Sequence, residues 1–289
     1  MFCYRTDVDM YVKKFSEQTL GSALCMLIQV NLQRKALPMN ENPVVLHIPH
    51  SSCFIPEFLK EDIILGDDEL KQNFYAFTDW KTDDLFSHPD FPTRIISDIS
   101  RMVCDMERFR NDDDEEMAVH GFGAVYTKDA FLRPLRNFDK VKRELILQLY
   151  YDPHHKKLGN AVDDKIQKFG KCLIIDCHSF SGTPLPYEPQ QDSMRPSFCL
   201  GTLDAHTPQH LIDVAVNALK SPEHSVELNY PYAGSMIPLK YFNDQRVKTI
   251  MVEINRTLYQ KQGCLLPTQN YNSIKNKISS LLKLLTSSF

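Results

Sequence analysis

The sequence predicts a three-layer α/β domain with a mostly parallel or mixed central sheet. Three observations carry that prediction. Apolar β-type runs alternate with helix-period segments along the chain, so helices can cover both faces of one sheet. The runs Val-Val-Leu-His-Ile-Pro-His at 44–50 and Leu-Ile-Ile-Asp-Cys-His-Ser at 173–179 are nearly continuous in apolar residues, as strands buried on both faces are. A helical pattern over 138–169 leads directly into a strand expected at 172–176, giving a helix-to-strand crossover.

In chain order, Pro-Met-Asn-Glu-Asn-Pro at 38–43 breaks the chain ahead of a first strand at 44–49. Residues 1–42 read as an N-terminal helical extension and 43–289 as a single catalytic domain. Leu20 to Val30 is apolar, but a charged stretch precedes it, Gln29 interrupts it and it is too short to span a bilayer; an amphipathic helix is expected there. A short helix starts at Pro56 to Leu59, and Asp67 to Asp84 reads as helical with Asp79 and Asp83 one turn apart. Arg-Ile-Ile-Ser-Asp at 94–98 is the next strand, and Met-Val-Cys-Asp-Met at 102–106 a further extended run. The acidic run at 111–116 lacks the central glycine and final glutamate of a calcium loop and is expected to be a solvated surface segment. The 138–169 helix is expected to break near Pro153. Residues 179–200, rich in Pro, Ser, Gly and Gln, read as a long loop over a cleft. Helices at about 207–219 and 270–285 flank a last strand at 249–254.

Composition narrows the function classes. A chain of 289 residues, 43% hydrophobic and 24% charged, can bury one large core, and single α/β domains often reach about 250 residues. The formal net charge of -4 provides no broad cationic field, so nucleic acid is not expected as a partner. The eight cysteines, at 3, 25, 53, 104, 172, 177, 199 and 264, make no CxxC pair. That usage fits a reducing compartment with thiols acting as small hydrophobes. With no stretch expected to cross a membrane, the reading is cytoplasmic.

The chemistry gathers at strand ends. A polar side chain at the carboxyl end of a parallel strand sits where open α/β sheets bind ligands, which places His50 and His178 across one cleft. A third apolar run, Thr-Ile-Met-Val-Glu-Ile-Asn at 249–255, carries Glu253 inside it, where a carboxylate is costly without a partner or a task. Two imidazoles and a buried carboxylate suggest a mononuclear zinc hydrolase. Zinc needs three protein ligands and an open position; the third ligand is expected from Asp79 or Asp83. Asp176 points to the same face as His178 and can orient an imidazole. Glu253 is the candidate general base, the alternative being an ion pair with Arg256. Arg101 and Arg108 flank the run at 102–106, where they either meet a carboxylate and an oxyanion or lie at the surface.

These residues fall within a wider resemblance. Pro-His-Ser-Ser at 49–52, Thr-Asp-Trp at 78–80, Ser-Arg and Asp-Met-Glu-Arg within 100–108 and His-His-Lys-Lys-Leu at 154–158 are followed by Asp-Cys-His-Ser at 176–179. Pro-Tyr-Ala-Gly at 231–234 and Val-Glu-Ile-Asn-Arg-Thr-Leu-Tyr at 252–259 complete the series. In this order the motifs resemble the N-formylglutamate amidohydrolase family over about 43–260. The resemblance implies a phosphorylase/hydrolase-like domain of the zinc-carboxypeptidase type, related also to aspartoacylase. It makes His50, Asp79 and His178 the ligands of one zinc ion per chain, favouring Asp79 over Asp83 through the Thr-Asp-Trp triplet. It also makes Glu253 the catalytic glutamate, Arg101 an oxyanion stabiliser, Arg108 a substrate-carboxylate anchor and Gly234 part of the substrate site. The implied reaction is hydrolysis of a small N-acyl amino acid, N-formylglutamate to formate and glutamate first. The alternatives are another N-acyl amino acid or small peptide, or a non-catalytic binding protein. Two departures bear on substrate. Glu107 stands where the family usually has Asn, adding negative charge that opposes a dianionic substrate, and Gly-Ser-Met-Ile-Pro-Leu-Lys-Tyr-Phe at 234–242 lacks a second glycine and an arginine often found there.

Overall fold

Period-2 alternation along three long apolar strands positions everything that follows. In the computed structural model, which describes residues 41–137 and 139–289, β1 (Val44–Ile48), β2 (Arg94–Ile96), β3 (Cys172–Phe180), β4 (Phe198–Gly201), β5 (Val226–Leu228) and β6 (Val247–Asn255) form one sheet. Its order is β2-β1-β3-β6-β4-β5. All pairings are parallel except β4 against β6, which is antiparallel. The mixed, mostly parallel α/β sheet is the one expected.

Helices cover both faces. On one face Leu46, Ile175, Val252 and Leu200 pack against helix α6 (Gln209–Leu219) and helix α7 (Tyr271–Ser288), through Leu211, Ala215, Ile278 and Leu282. Each such leucine, fully buried, contributes about 1.5–3 kcal/mol. On the other face Val45, Ile174 and Val247 pack against Leu158 and Val162 of α5 (Asp152–Phe169). The intervening strand residues point to this second face too, among them His47, Asp176, His178 and Glu253. A satellite core lies under the irregular segments, formed by Phe77, Met102, Val103, Tyr126 and Leu147 among others.

Several local expectations are corrected. After the short helix α1 (Glu57–Lys60), the helix expected over 67–84 is two pieces, α2 (Asp67–Phe77) and α3 (Thr82–Leu85). It breaks because Thr78 turns extended, Lys81 takes a left-handed conformation (φ 64°) and the Asp79 amide bonds the His50 carbonyl instead of its own helix. Residues 102–106 are not a strand: the amides of Val103 and Cys104 both bond the Ser100 carbonyl. Their apolar character reflects burial in the satellite core. Near Pro153 the helix does not break. A wide turn at Leu147–Tyr151 joins α4 (Lys140–Ile146) to α5, accommodating the missing proline amide one turn ahead of it. The acidic run lies at the surface as expected except at buried Glu115, which accepts from the Phe109 amide and Arg108, while half-buried Asp112 pairs with Arg143. The strand at 172–176 extends to Phe180, paired with β6 throughout. The loop expected over 179–200 ends in β4, which with β5 escaped the sequence reading. The remaining fold element proposed from sequence, the helical extension, lies outside the described residues except for Glu41 and Asn42, whose carboxamide accepts from the Val44 amide. Among the described residues no helix is long and apolar enough to cross a membrane.

Candidate active site

The site assembles at the carboxyl ends of β1, β3 and β6. Parallel register sets His178 beside Glu253 and Asp176 beside both His47 and Met251. His50 lies two residues beyond β1, with its ring centroid 5.1 Å from that of His178. Asp79 is brought to them by the broken helix. Arg256, immediately after β6, donates to the carbonyls of Tyr75, Ala76 and Thr78 at 2.7–2.8 Å, capping α2 where it stops. Arg256 therefore makes no pair with Glu253, and that alternative falls away.

Each histidine is held at Nε2 by carboxylate and turns Nδ1 toward Asp79, to which His178 Nδ1 is hydrogen-bonded. His50 Nε2 bonds Asp105 Oδ1 at 2.8 Å, while its Nδ1 is buried without a hydrogen-bond partner. His178 Nε2 contacts Glu107 Oε1 at 3.0 Å and Asp176 Oδ1 at 3.1 Å. Both Nδ1 atoms face Asp79 Oδ2, at 3.7 Å from His50 and 3.1 Å from His178. Carboxylates behind the imidazoles fix ring orientation and raise donor strength, as around many metal-binding histidines. Two imidazoles, one with an orphaned Nδ1, and one carboxylate fit the donor set of a zinc ion. A second carboxylate is close: among the described residues the donor trios that lie within 4.8 Å of one another are His50, Glu107 and His178, and His47, Glu107 and Asp176, so Glu107 rather than Asp79 belongs to both. Asp83 does not line the cavity among the described residues.

The electrostatics suit a cation. Burial alone would lower the His178 pKa, but Glu107, Asp176 and Asp79 outweigh it and raise it well above the ordinary value. Burial would raise Asp79 and Asp105. The histidines hold Asp79 down, while Arg101 and His50 hold Asp105 well below the carboxylate range. Glu253 behaves oppositely. Its burial, aided by Asp79 and Glu107 against the opposing pull of His178 and Arg101, pushes it up to about 8, and its Oε2 has no hydrogen-bond partner. A carboxyl of that kind, poised near neutrality in a cleft, is suited to proton transfer.

The remaining expected residues surround the same cavity of about 990 Å³, which Arg101, Arg108, Gly234 and Glu253 all line. Arg101 donates to Asp105 at 2.7 Å and to the Tyr126 hydroxyl, and Arg108 to Glu115 at 3.2 Å. Gly234, at φ 89°, passes so close to Gly201 that a Cβ there would meet its carbonyl. Sequence reasoning found Asp176 in the supporting layer, where it bonds His178 and His47, but missed the rest. Asp105 was hidden in what read as a strand. His47, wholly buried, bonds Asp176 at 2.7 Å and touches His154 Nε2 at 2.9 Å; period-2 counting back from His178 and its neighbour strand was the signal that could have found it.

The sequence model of the N-formylglutamate amidohydrolase family matches residues 42–260. The structure is similar to an N-formylglutamate amidohydrolase from Ralstonia eutropha JMP134, with a TM-score of 0.72 and 21% identity over 86% of this chain and 94% of that one. It is also similar to a gene product of Agrobacterium tumefaciens, with a TM-score of 0.60 and 18% identity over 86% of this chain and 90% of that one. No curated protein matches the sequence significantly.

Proposed function

The chain belongs to the N-formylglutamate amidohydrolase family, and from that premise we propose that it hydrolyses the amide bond of N-acyl amino acids, N-formylglutamate among them, with one zinc ion held by His50, Asp79 and His178. The observation that carries the proposal is the pair of imidazoles whose Nε2 atoms are tied to carboxylates and whose Nδ1 atoms turn toward Asp79, beside the unpartnered Glu253 oxygen. Bound there, zinc would act as a Lewis acid toward the amide carbonyl and bring the pKa of a water to about 7.

The protein's own groups account for the rest. Glu253 takes a proton from the attacking water and returns it to the amide nitrogen as the C–N bond breaks, giving a carboxylic acid and a free amine. Burial of its carboxyl keeps it basic enough for the first transfer and acidic enough for the second. Arg101 is held in place by Asp105 and Tyr126 and serves the oxyanion that develops on the acyl oxygen. Arg108, about a quarter exposed, retains donors for the substrate α-carboxylate. Gly234 leaves its stretch of wall without a side chain, so the substrate can approach the backbone.

Glu253→Gln tests the assignment. Zinc content should stay near wild type while formate release from N-formylglutamate falls by at least about 100-fold. Full retained turnover would remove Glu253 as the base. Stoichiometric zinc with no turnover on any N-acyl amino acid, in the wild type, would favour a binding protein instead.

A further inference from the structure

The cavity is several times the size that a formyl group and an acidic side chain would fill. Part of its lining is apolar, with Lys240, paired to Asp163, interrupting it. Phe109, Leu203, Met236, Ile237, Leu239 and Phe242 form that part, and Leu239 is 76% and Phe242 52% exposed. Large apolar side chains left open along the wall of a concave site mark where an apolar ligand lies. The arginines of the lining are already paired. Arg101 pairs with Asp105, Arg108 with Glu115, and Arg110, at the rim, with both Asp152 and Glu144. Among these groups Glu107 adds a carboxylate that faces the cavity, 22% exposed, with Oε2 3.8 Å from His50 Nδ1.

We propose that the preferred substrate is an N-acyl amino acid carrying a single carboxylate and a bulky apolar side chain, which packs on the 236–242 wall, and that Glu107 selects against a second carboxylate. The inference rests on the hydrolase reading and names its substrate class. The α-carboxylate uses the donors that Arg101 and Arg108 have left. A second carboxylate placed beside Glu107 meets a like charge, and like charges brought together in a partly desolvated site are a strong means of rejection. The lysines elsewhere in the lining are Lys156 and the Asp163-paired Lys240. An apolar side chain meets no such opposition and gains from leaving water.

The test compares N-formyl-leucine with N-formylglutamate on the zinc-loaded protein, by formate release and, with Glu253→Gln to prevent turnover, by calorimetry. The expected result is about a 10-fold or greater preference for N-formyl-leucine in both kcat/KM and Kd. Glu107→Gln should narrow that ratio at least about 5-fold, read as a ratio so that any general loss from disturbing His178 cancels. A Leu239→Ser, Phe242→Ser double variant, altering exposed positions, should raise KM for N-formyl-leucine more than for N-formylglutamate. Tighter binding of N-formylglutamate, binding of neither ligand, or a ratio unmoved by Glu107→Gln would overturn the inference. Preferential binding of N-formyl-leucine without turnover of either would instead uphold the site and defeat the hydrolase reading.

Discussion

At the residue scale, the nitrogens of His50 and His178 decide what the site can hold. Their Nε2 atoms are occupied by Asp105, Asp176 and Glu107, so only Nδ1 is left to converge on Asp79. Replacing Asp79 by Asn removes the charged donor but keeps the shape, and should weaken zinc binding at least about 10-fold in a chelator competition. Asp105→Asn, one layer further out, should weaken it less while leaving stoichiometry intact. The two histidines and Glu253 were legible in the sequence because each sits in or beside an apolar run where a polar side chain is out of place, whereas Asp79 was separated from Asp83 only by the Thr-Asp-Trp triplet of the family resemblance. Asp105 was not legible, and Glu107 was noticed only as a departure from the family pattern, not as a neighbour of both histidines. Asp105 and Glu107 belong to an irregular segment, where no period tells which way a side chain points.

At the scale of elements, one arginine links strand to helix. Arg256 leaves β6 and caps three carbonyls at the end of α2, and the chain that turns there delivers Asp79. Arg256→Gln should therefore lower stability by about 3 kcal/mol in urea titration, since charged donors to buried carbonyls are lost together. It should also weaken zinc binding, although Arg256 touches none of the proposed ligands. The long strands were readable from their continuous apolar runs. The short strands β4 and β5 were not, because four and three residues carry too little pattern to stand out from loop. The 67–84 segment misled for a tertiary reason: its helical period continues past Phe77, and the break comes from Arg256 and His50, far off in sequence.

At the scale of the whole molecule, α5 is fastened to the sheet through a buried histidine pair, and this makes stability depend on pH. Burial, with His47 and His155 nearby, lowers His154 to about 2, so the folded protein keeps it neutral. Below pH 6.5 the unfolded chain binds a proton here that the folded chain does not, and stability falls as pH falls, by up to about 1.4 kcal/mol per unit. Chemical denaturation with excess chelator should show wild type losing about 1 kcal/mol more than His154→Gln between pH 6 and 5. Equal losses would mean that His154 does not carry the effect. The three-layer α/β architecture was legible from alternation alone, whereas the face shared by His47, Asp176, His178 and Glu253 became visible only once β1, β3 and β6 were known to be neighbours in register.

The measurement closest to the central claim is zinc content by elemental analysis after dialysis against buffered zinc, on wild type and His178→Ala, with circular dichroism confirming that both are folded. About one zinc per wild-type chain and a loss of most of it in the folded variant is the predicted result. Wild type that takes up no zinc, or a variant that keeps the full amount, would contradict the proposed centre.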